Sequence, residues 1–239
     1  MKKNIFYEHD DTTRTSIGVE YEKYLHQSQS KYQNIVVIKT NRYGNAMYLD
    51  GCFMLSEKNQ DFYHDACKHL IPVAARRILI VGGGDHALAS MISNFSTVNE
   101  IDVVEIDSDV VTISRKYFPK FFKLSKKLQA KINVIIEDGM QYLKENNKKY
   151  DCIIVDSTDP VDNAKVLFSK LFIIACFGSL KSGGLLIQQS GSPIKDVAQI
   201  INPLKRKCKD AGFKKIELHT FSMPLYPTGT WSFITAKRA

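Results

Sequence analysis

Apolar and polar positions alternate early in the chain and lose that alternation later. From about Ser16 to Met54 the period is two, the mark of half-buried strands. It predicts strands over 17–21, 34–40 and 46–49, with Asn41-Arg42-Tyr43-Gly44-Asn45 as the turn between the last two. A small antiparallel unit results, and residues 1–58 are assigned to an N-terminal β domain. Residues 60–70 then carry Tyr63, Cys67 and Leu70 at helical spacing and predict a helix. Beyond Pro72, short apolar runs alternate with helical stretches. Strands are expected over 77–81, 101–106, 132–136, 152–156, 185–189, 214–218 and 231–235. Helices are expected over 109–117, 140–146, 166–177 and 196–211, the third closed by Gly183-Gly184 as its C-terminal stop. Such alternation predicts an α/β domain over 59–239, a mostly parallel Rossmann-type sheet with helices on both faces.

Composition narrows the class. With 239 residues there is room for one medium domain and a small extension. A hydrophobic content of 44% and a charged content of 24% exclude a mainly disordered or collagen-like chain. No apolar run reaches the roughly 18–20 residues of a membrane span; the longest lies near 171–177. The basic N-terminus has no apolar segment behind it, so no secretory signal is expected. The five cysteines, Cys52, Cys67, Cys152, Cys176 and Cys208, are odd in number and contain no C-x-x-C pair. They read as buried free thiols in a cytoplasmic protein, not as disulfides or a zinc site. The net charge of +8 brings nucleic acid into consideration. The basic residues gather over 115–131, 144–149 and 205–215, where solvated helix faces explain them. Neither a membrane nor a nucleic acid is expected as a partner.

The chemistry lies at the strand ends. Open α/β sheets bind ligands at the carboxyl edge, near the reversal of strand order. Here Ile78-Leu79-Ile80-Val81 runs into Gly82-Gly83-Gly84-Asp85, and the next strand ends Val104-Glu105-Ile106-Asp107. The following two end in Glu137-Asp138-Gly139 and Asp156-Ser157-Thr158-Asp159-Pro160. Any one of these acids would suit a turn; a row of them at one edge calls for a ligand. The glycine loop lets a ligand approach the backbone. Glu105 stands about 20 residues beyond Gly84, where an acid bonds ribose hydroxyls in nucleotide-binding sheets. An adenosine-containing ligand is therefore expected. Asp85 directly after the glycines would repel a pyrophosphate, which disfavours a dinucleotide. Asp85, Asp156 and Asp159 together form a negative pocket in a basic protein and predict a cationic substrate.

In order and spacing these residues resemble the polyamine aminopropyltransferases, the spermidine synthase family. Tyr32-Gln33-Asn34-Ile35 is similar to the family's Y-Q-x-I, Tyr48-Leu49-Asp50-Gly51 to its L-D-G turn, and Tyr63-His64-Asp65 to Y-H-E. Gly82-Gly83-Gly84-Asp85, Val104-Glu105-Ile106-Asp107 and Asp138-Gly139 match G-G-G-D, V-E-I-D and D-G. Asp156-Ser157-Thr158-Asp159-Pro160 matches D-S-[ST]-D-P, and Tyr226-Pro227-Thr228-Gly229-Thr230-Trp231 resembles Y-P-S-G-x-W. The resemblance runs from about Tyr32 to Ala236.

It implies a small β domain joined to a methyltransferase-like sheet. It also implies transfer of an aminopropyl group from decarboxylated S-adenosylmethionine to a diamine, putrescine foremost, giving spermidine and methylthioadenosine. Decarboxylated S-adenosylmethionine is then a co-substrate; no cofactor or metal is expected, and the state is a homodimer or homotetramer. Asp156 is the expected general base. Gln33, Tyr63, His64, Asp85, Asp159 and Tyr226 are expected to bind substrate. Gly82, Gly84, Glu105, Asp138 and Gly139 are expected around the nucleoside. Trp231 reads as packing.

Several positions depart from the family pattern. His86-Ala87 stands where G-G is usual, Met54 where a glutamine is usual, Gln60 where an acid is common, and Asp162-Asn163 where G-P is usual. Many relatives continue with further helices beyond the point matching Ala239. Two other classes stay open. One is an S-adenosylmethionine-dependent methyltransferase acting on RNA or a small molecule, which salt-dependent nucleic-acid binding would support. Against it, Asp156-Ser157-Thr158-Asp159 is not an N-P-P-Y type loop, and Asp85 opposes the methionine carboxylate. The other is a non-catalytic homologue that binds polyamine or nucleoside without turnover.

Overall fold

The structure, a computed structural model, describes residues 4–58, 61–160 and 162–239. Two sheets divide the chain. The first is antiparallel throughout, in the order β1 (Ile5–Asp10), β2 (Thr15–Gln29), β3 (Asn34–Thr40), β4 (Gly44–Leu49), β5 (Cys52–Ser56). Strands β3 and β4 follow the expected period, and Val36, Ile38, Ala46 and Tyr48 enter the core shared with the second sheet. Strand β1 was not anticipated. Its inward side carries Glu8 and Asp10, both buried, while Ile5 and Tyr7 face solvent. Burying acids inverts the usual pattern and hides the strand from periodicity. Strand β2 is three times the expected length. It shifts register between Tyr21 and Lys23 and again between Tyr24 and His26, so alternation is broken twice. Strand β5 follows the Asp50-Gly51 turn.

After α1 (Asp61–Leu70) comes the second sheet, formed by β6 (Arg77–Gly82), β7 (Glu100–Glu105), β8 (Ile132–Ile136), β9 (Tyr150–Asp156), β10 (Leu180–Gln189), β11 (Lys214–Ser222) and β12 (Thr230–Lys237). Its order is β11-β12-β10-β9-β6-β7-β8. Pairs from β8 across to β10 are parallel, and β12 is antiparallel to both β10 and β11. The chain order reverses between β6 and β9, which sets the switch point there. Connections run through α2 (Ala87–Ile92), α3 (Ser108–Tyr117), α4 (Lys126–Gln129), α5 (Gly139–Glu145), α6 (Lys170–Ser179) and α7 (Asn202–Asp210). Ile78, Ile80, Ile154 and Ile187 face one side of this sheet and Leu79, Val81, Ile153 and Leu186 the other; all are buried. Both faces are therefore covered, as near-continuous apolar strands require.

Three expectations need correction. Gly183 and Gly184 do not stop a helix: α6 ends at Ser179, and the glycines lie inside β10 where its register with β9 shifts between Leu180 and Leu185. They serve a bulge, and Gly183 has φ 77°. The helix expected over 166–177 is a 3-10 stretch, Asp162–Phe168, followed by α6, whose start is capped by Ser169 accepting from the Phe172 N–H at 3.1 Å. Cys52 is exposed, whereas the other cysteines are buried; all are free thiols. Gln60, the predicted start of α1, lies outside the described residues.

Candidate active site

The carboxyl ends of β6, β7 and β9 frame a cavity of about 470 Å³, roofed by the first sheet. Every residue predicted for the site lines it: Asp156, Gln33, Tyr63, His64, Asp85, Asp159, Tyr226, Gly82, Gly84, Glu105, Asp138 and Gly139.

Backbone geometry shapes one end. Gly82 has φ +87°, and a Cβ there would sit 2.1 Å from the Asp156 carbonyl oxygen. That carbonyl accepts from the Gly83 N–H at 3.0 Å, so the glycine loop and the end of β9 are locked together. Gly84 leaves room for Glu105, whose Oε2 accepts from the Gly84 N–H at 3.1 Å and whose Oε1 accepts from the Asp107 N–H at 2.9 Å. Asp138 caps α5 by accepting from the Gln141 N–H at 2.9 Å. A Cβ on Gly139 would meet Val81 Cγ1 at 2.4 Å, so the helix start lies flat on β6. Asp85 accepts from the Ala87 N–H at 2.8 Å. Gln33 reaches across from the first sheet and donates to Asp107 Oδ2 at 2.9 Å, beside Ser30 Oγ at 2.7 Å.

Side chains from separate elements shape the other end. Tyr63 of α1 donates its hydroxyl to Asp156 Oδ1 at 2.8 Å. Its ring stands 6.3 Å from Tyr226, which packs edge-on against Trp231 at 4.8 Å. Trp231 is not packing alone: its indole N–H donates to Gln189 Oε1 at 3.2 Å. Gln189 Nε2 in turn donates to the Thr158 carbonyl at 3.0 Å and to Asp159 Oδ1 at 3.4 Å. His64 is buried behind Tyr63, with ring centroids 5.4 Å apart.

The electrostatics favour cations. Burial pushes the carboxyls of Asp85 and Asp156 above the usual range, and Asp85 raises Asp156 further by repulsion. Burial, reinforced by Asp196, lifts Asp159 to about 6. Glu105 rises to about 7 because burial outweighs its backbone N–H partners. Tyr63 and Tyr226 are raised well above the usual phenol range, first by burial and then by Asp156. An ammonium entering among these acids would be worth about 4 kcal/mol per close pair at 4 Å and an effective dielectric near 20.

Sequence reasoning missed the contribution of β1. Glu8 lines the cavity, accepts from the Phe53 N–H at 2.8 Å and is lifted by burial to about 7. Asp10, Gln189 and Lys195 line it too. No motif flagged them: Glu8 and Asp10 sit on β1, whose buried acids break the apolar alternation, and Gln189 and Lys195 fall in no recognisable spacing. Among the departures, His86 does not narrow the cavity. It adopts φ 69°, turns away, and stacks on Phe122 at 4.5 Å. Met54 and Asn163 do line the cavity, and Asn163 Nδ2 donates to the Tyr32 carbonyl at 3.4 Å.

Among the described residues, no group of three or more His, Cys, Asp or Glu is arranged to hold a metal ion, and no helix is long and apolar enough to cross a membrane.

A Rossmann-type sheet whose switch point carries a strand-end glutamate, a glycine loop and a cluster of buried carboxylates is of the class that binds a nucleoside with a second, cationic ligand. The comparisons name the family. Residues 60–239 match the spermine/spermidine synthase domain, and residues 5–57 match the spermidine synthase tetramerisation domain. The chain is 37% identical to a polyamine aminopropyltransferase of Methanocaldococcus jannaschii over 243 residues, which covers 100% of this chain and 81% of that protein. It is 34% identical to the polyamine aminopropyltransferase of Stenotrophomonas maltophilia strain R551-3, over 98% of this chain and 83% of that one. It superposes on the crystal structure of a spermidine synthase in complex with the transition state analogue AdoDATO with a TM-score of 0.91 at 24% identity, covering 99% of this chain and 80% of that one. For the spermidine synthase from Thermotoga maritima the TM-score is 0.85 at 24% identity, covering 99% and 79%. The chain belongs to the spermine/spermidine synthase family.

Proposed function

We propose that this polyamine aminopropyltransferase moves the aminopropyl group of decarboxylated S-adenosylmethionine to putrescine, with Asp156 as the base. The observation that carries the reading is the placement of Asp156. It is held between the glycine loop and the Tyr63 hydroxyl, with the Asp85 charge acting on it.

The chemistry runs as follows. A diamine near pKa 10 enters as a dication and cannot attack in that form. Asp156 accepts a proton from the near ammonium, and the freed lone pair attacks the methylene carbon beside the sulfonium. The C–S bond breaks, and its electron pair returns to sulfur. Methylthioadenosine leaves as a neutral thioether, and the new secondary amine carries the positive charge. Sulfonium is already a good leaving group, so a base and good positioning suffice. The raised affinity of Asp156 for a proton suits this transfer. Tyr63 orients its carboxylate, and the Tyr63 and Tyr226 rings flank the alkylammonium.

Asp85 holds the ammonium of the aminopropyl chain. It disfavours ordinary S-adenosylmethionine, whose extra carboxylate would lie beside it. Glu105 takes the ribose, and Asp138, Gly139 and the Gly82–Gly84 loop surround the nucleoside. Gln33 supports that side through Asp107, and His64 backs the Tyr63 ring. Asp159 and Glu8 receive the distal ammonium. A cytoplasmic homodimer or homotetramer fits this reading, and the match to a tetramerisation domain supports assembly.

The test is direct. Purified protein is incubated with decarboxylated S-adenosylmethionine and an equimolar set of diamines and polyamines, and products are followed by mass spectrometry. Methylthioadenosine with spermidine as the dominant product is expected. Turnover should fall about 10²–10⁴-fold in Asp156→Asn, the usual contribution of a general base. Methyl transfer from S-adenosylmethionine, or ligand binding without turnover, would instead establish one of the two other classes.

A further inference from the structure

The cavity wall holds a cation of its own. Lys195 lies on the segment after β10, lines the cavity, and keeps its side chain only 11% exposed. Its Nζ meets Asp10 Oδ2 at 2.7 Å and Asp196 Oδ2 at 3.6 Å. Asp10 is fully engaged: its other oxygen, Oδ1, accepts from the Thr13 N–H at 2.7 Å and from the Thr13 hydroxyl at 2.9 Å. Lys195 also stands close enough to act on Glu8 and Asp159, lowering both carboxyls against their burial.

The charges can be assigned along the cavity. Asp85 is free for the donor ammonium, Asp156 for the near amine of the acceptor, and Asp159 with Glu8 for the distal one. The same cavity wall carries Asp10, and an internal ammonium already occupies it. We infer that Lys195 mimics the third ammonium of a linear triamine and thereby restricts the acceptor to diamines. This rests on the aminopropyltransferase reading and sharpens it by naming a specificity determinant. A triamine reaching past Asp159 would meet the Lys195 charge, and Asp10, the carboxylate beside it, is already paired. Like-charge juxtaposition of this kind rejects a ligand even where the shape would admit it. A diamine ends before that point and is helped by the acids that Lys195 helps keep ionised.

The experiment compares putrescine and spermidine as acceptors for the wild type, Lys195→Met and Lys195→Arg, with circular dichroism as the check on folding. Methionine keeps most of the stem and removes the charge, leaving Asp10 available. The ratio of kcat/KM for spermidine over putrescine should rise at least tenfold in Lys195→Met and stay within about twofold of wild type in Lys195→Arg. An unchanged ratio in Lys195→Met, or an equal rise in Lys195→Arg, would overturn the inference. Lys195→Gln replaces the methionine variant if that protein does not fold. If the folded wild type transfers no aminopropyl group to any amine, the functional reading fails separately. Calorimetric titration of the same two amines, with methylthioadenosine present, then decides on Lys195 by the same ratio, now of affinities.

Discussion

The two ends of the cavity are built differently. At the end proposed for the nucleoside, the contacts are made by or through backbone: Glu105 is held by two N–H groups, Asp138 by a helix start, and Asp156 by a carbonyl pressed against Gly82. At the end proposed for the amine, Glu8, Tyr63, Asp159, Gln189, Lys195 and Tyr226 converge from separate parts of the chain, and side chains supply more of the partners: Asp156 for Tyr63, Gln189 for Asp159 and Asp10 for Lys195. The first construction is rigid and leaves little freedom to substitute. The second can be retuned one residue at a time. In the proposed reaction the common donor takes the first end and the changeable acceptor the second, which suits this division.

The sharpest way to break that contrast is chemical. Asp156→Asn should cost the largest factor in turnover while leaving the folded state intact, because it removes a buried like-charge neighbour of Asp85. Gly82→Ala comes next. It forces a side chain into φ +87° and onto the Asp156 carbonyl, so both stability and turnover should fall. The strain alone is about 1–2 kcal/mol, and thermal unfolding beside steady-state kinetics would measure it. No single substitution at the amine end should match that loss of stability.

A mirrored pair of variants separates the two ends more finely. Glu105→Gln removes a charged acceptor from the nucleoside side and should raise the donor KM about 10–100-fold, the worth of one charge-assisted hydrogen bond. The acceptor KM should move little. Glu8→Gln should do the reverse. Equal effects on both constants from either variant would show that the two ends do not act independently.

The smallest effect is on pH-dependent stability. Glu8, Glu105 and Asp159 have folded pKa values above their unfolded ones, so the folded protein holds more protons between about pH 4 and 7. Stability that is present below pH 4 is therefore lost as the pH rises through that window. His86 opposes this weakly, since burial lowers its pKa and the neutral ring is favoured as the pH rises. The midpoint of thermal unfolding without ligand should fall from pH 5 to 7.5. Putrescine should flatten the slope, because its ammonium groups neutralise the same carboxylates.

The contrast also explains what could be read from the sequence. The parallel strands, the glycine loop and the acids at the strand ends were legible because each sits in a short motif whose spacing follows from local geometry. Glu105 could be placed from Gly84 by counting. Strand β1 could not, because burying Glu8 and Asp10 reverses the pattern that marks a strand. Lys195 and Gln189 gave no signal, since their roles depend on the closure of separate loops around one space. His86 stood out as a departure from a glycine-rich pattern. Its outcome, a left-handed backbone with the ring stacked on Phe122, depends on a residue far along the chain.

Asp107 carries a consequence for modularity. One of its oxygens caps α3 through the Asp109 N–H at 3.0 Å, and the other takes Ser30 and Gln33 from the first sheet. That sheet also supplies Glu8 and Phe53 to the cavity wall. The proposed boundary between residues 58 and 59 thus marks a change of sheet and not a place to cut. A fragment beginning at residue 59 would keep the donor loops but lose the roof over them. Chimeras that exchange acceptor preference between relatives would have to carry the N-terminal sheet along with the segment after β10, as one inherited unit.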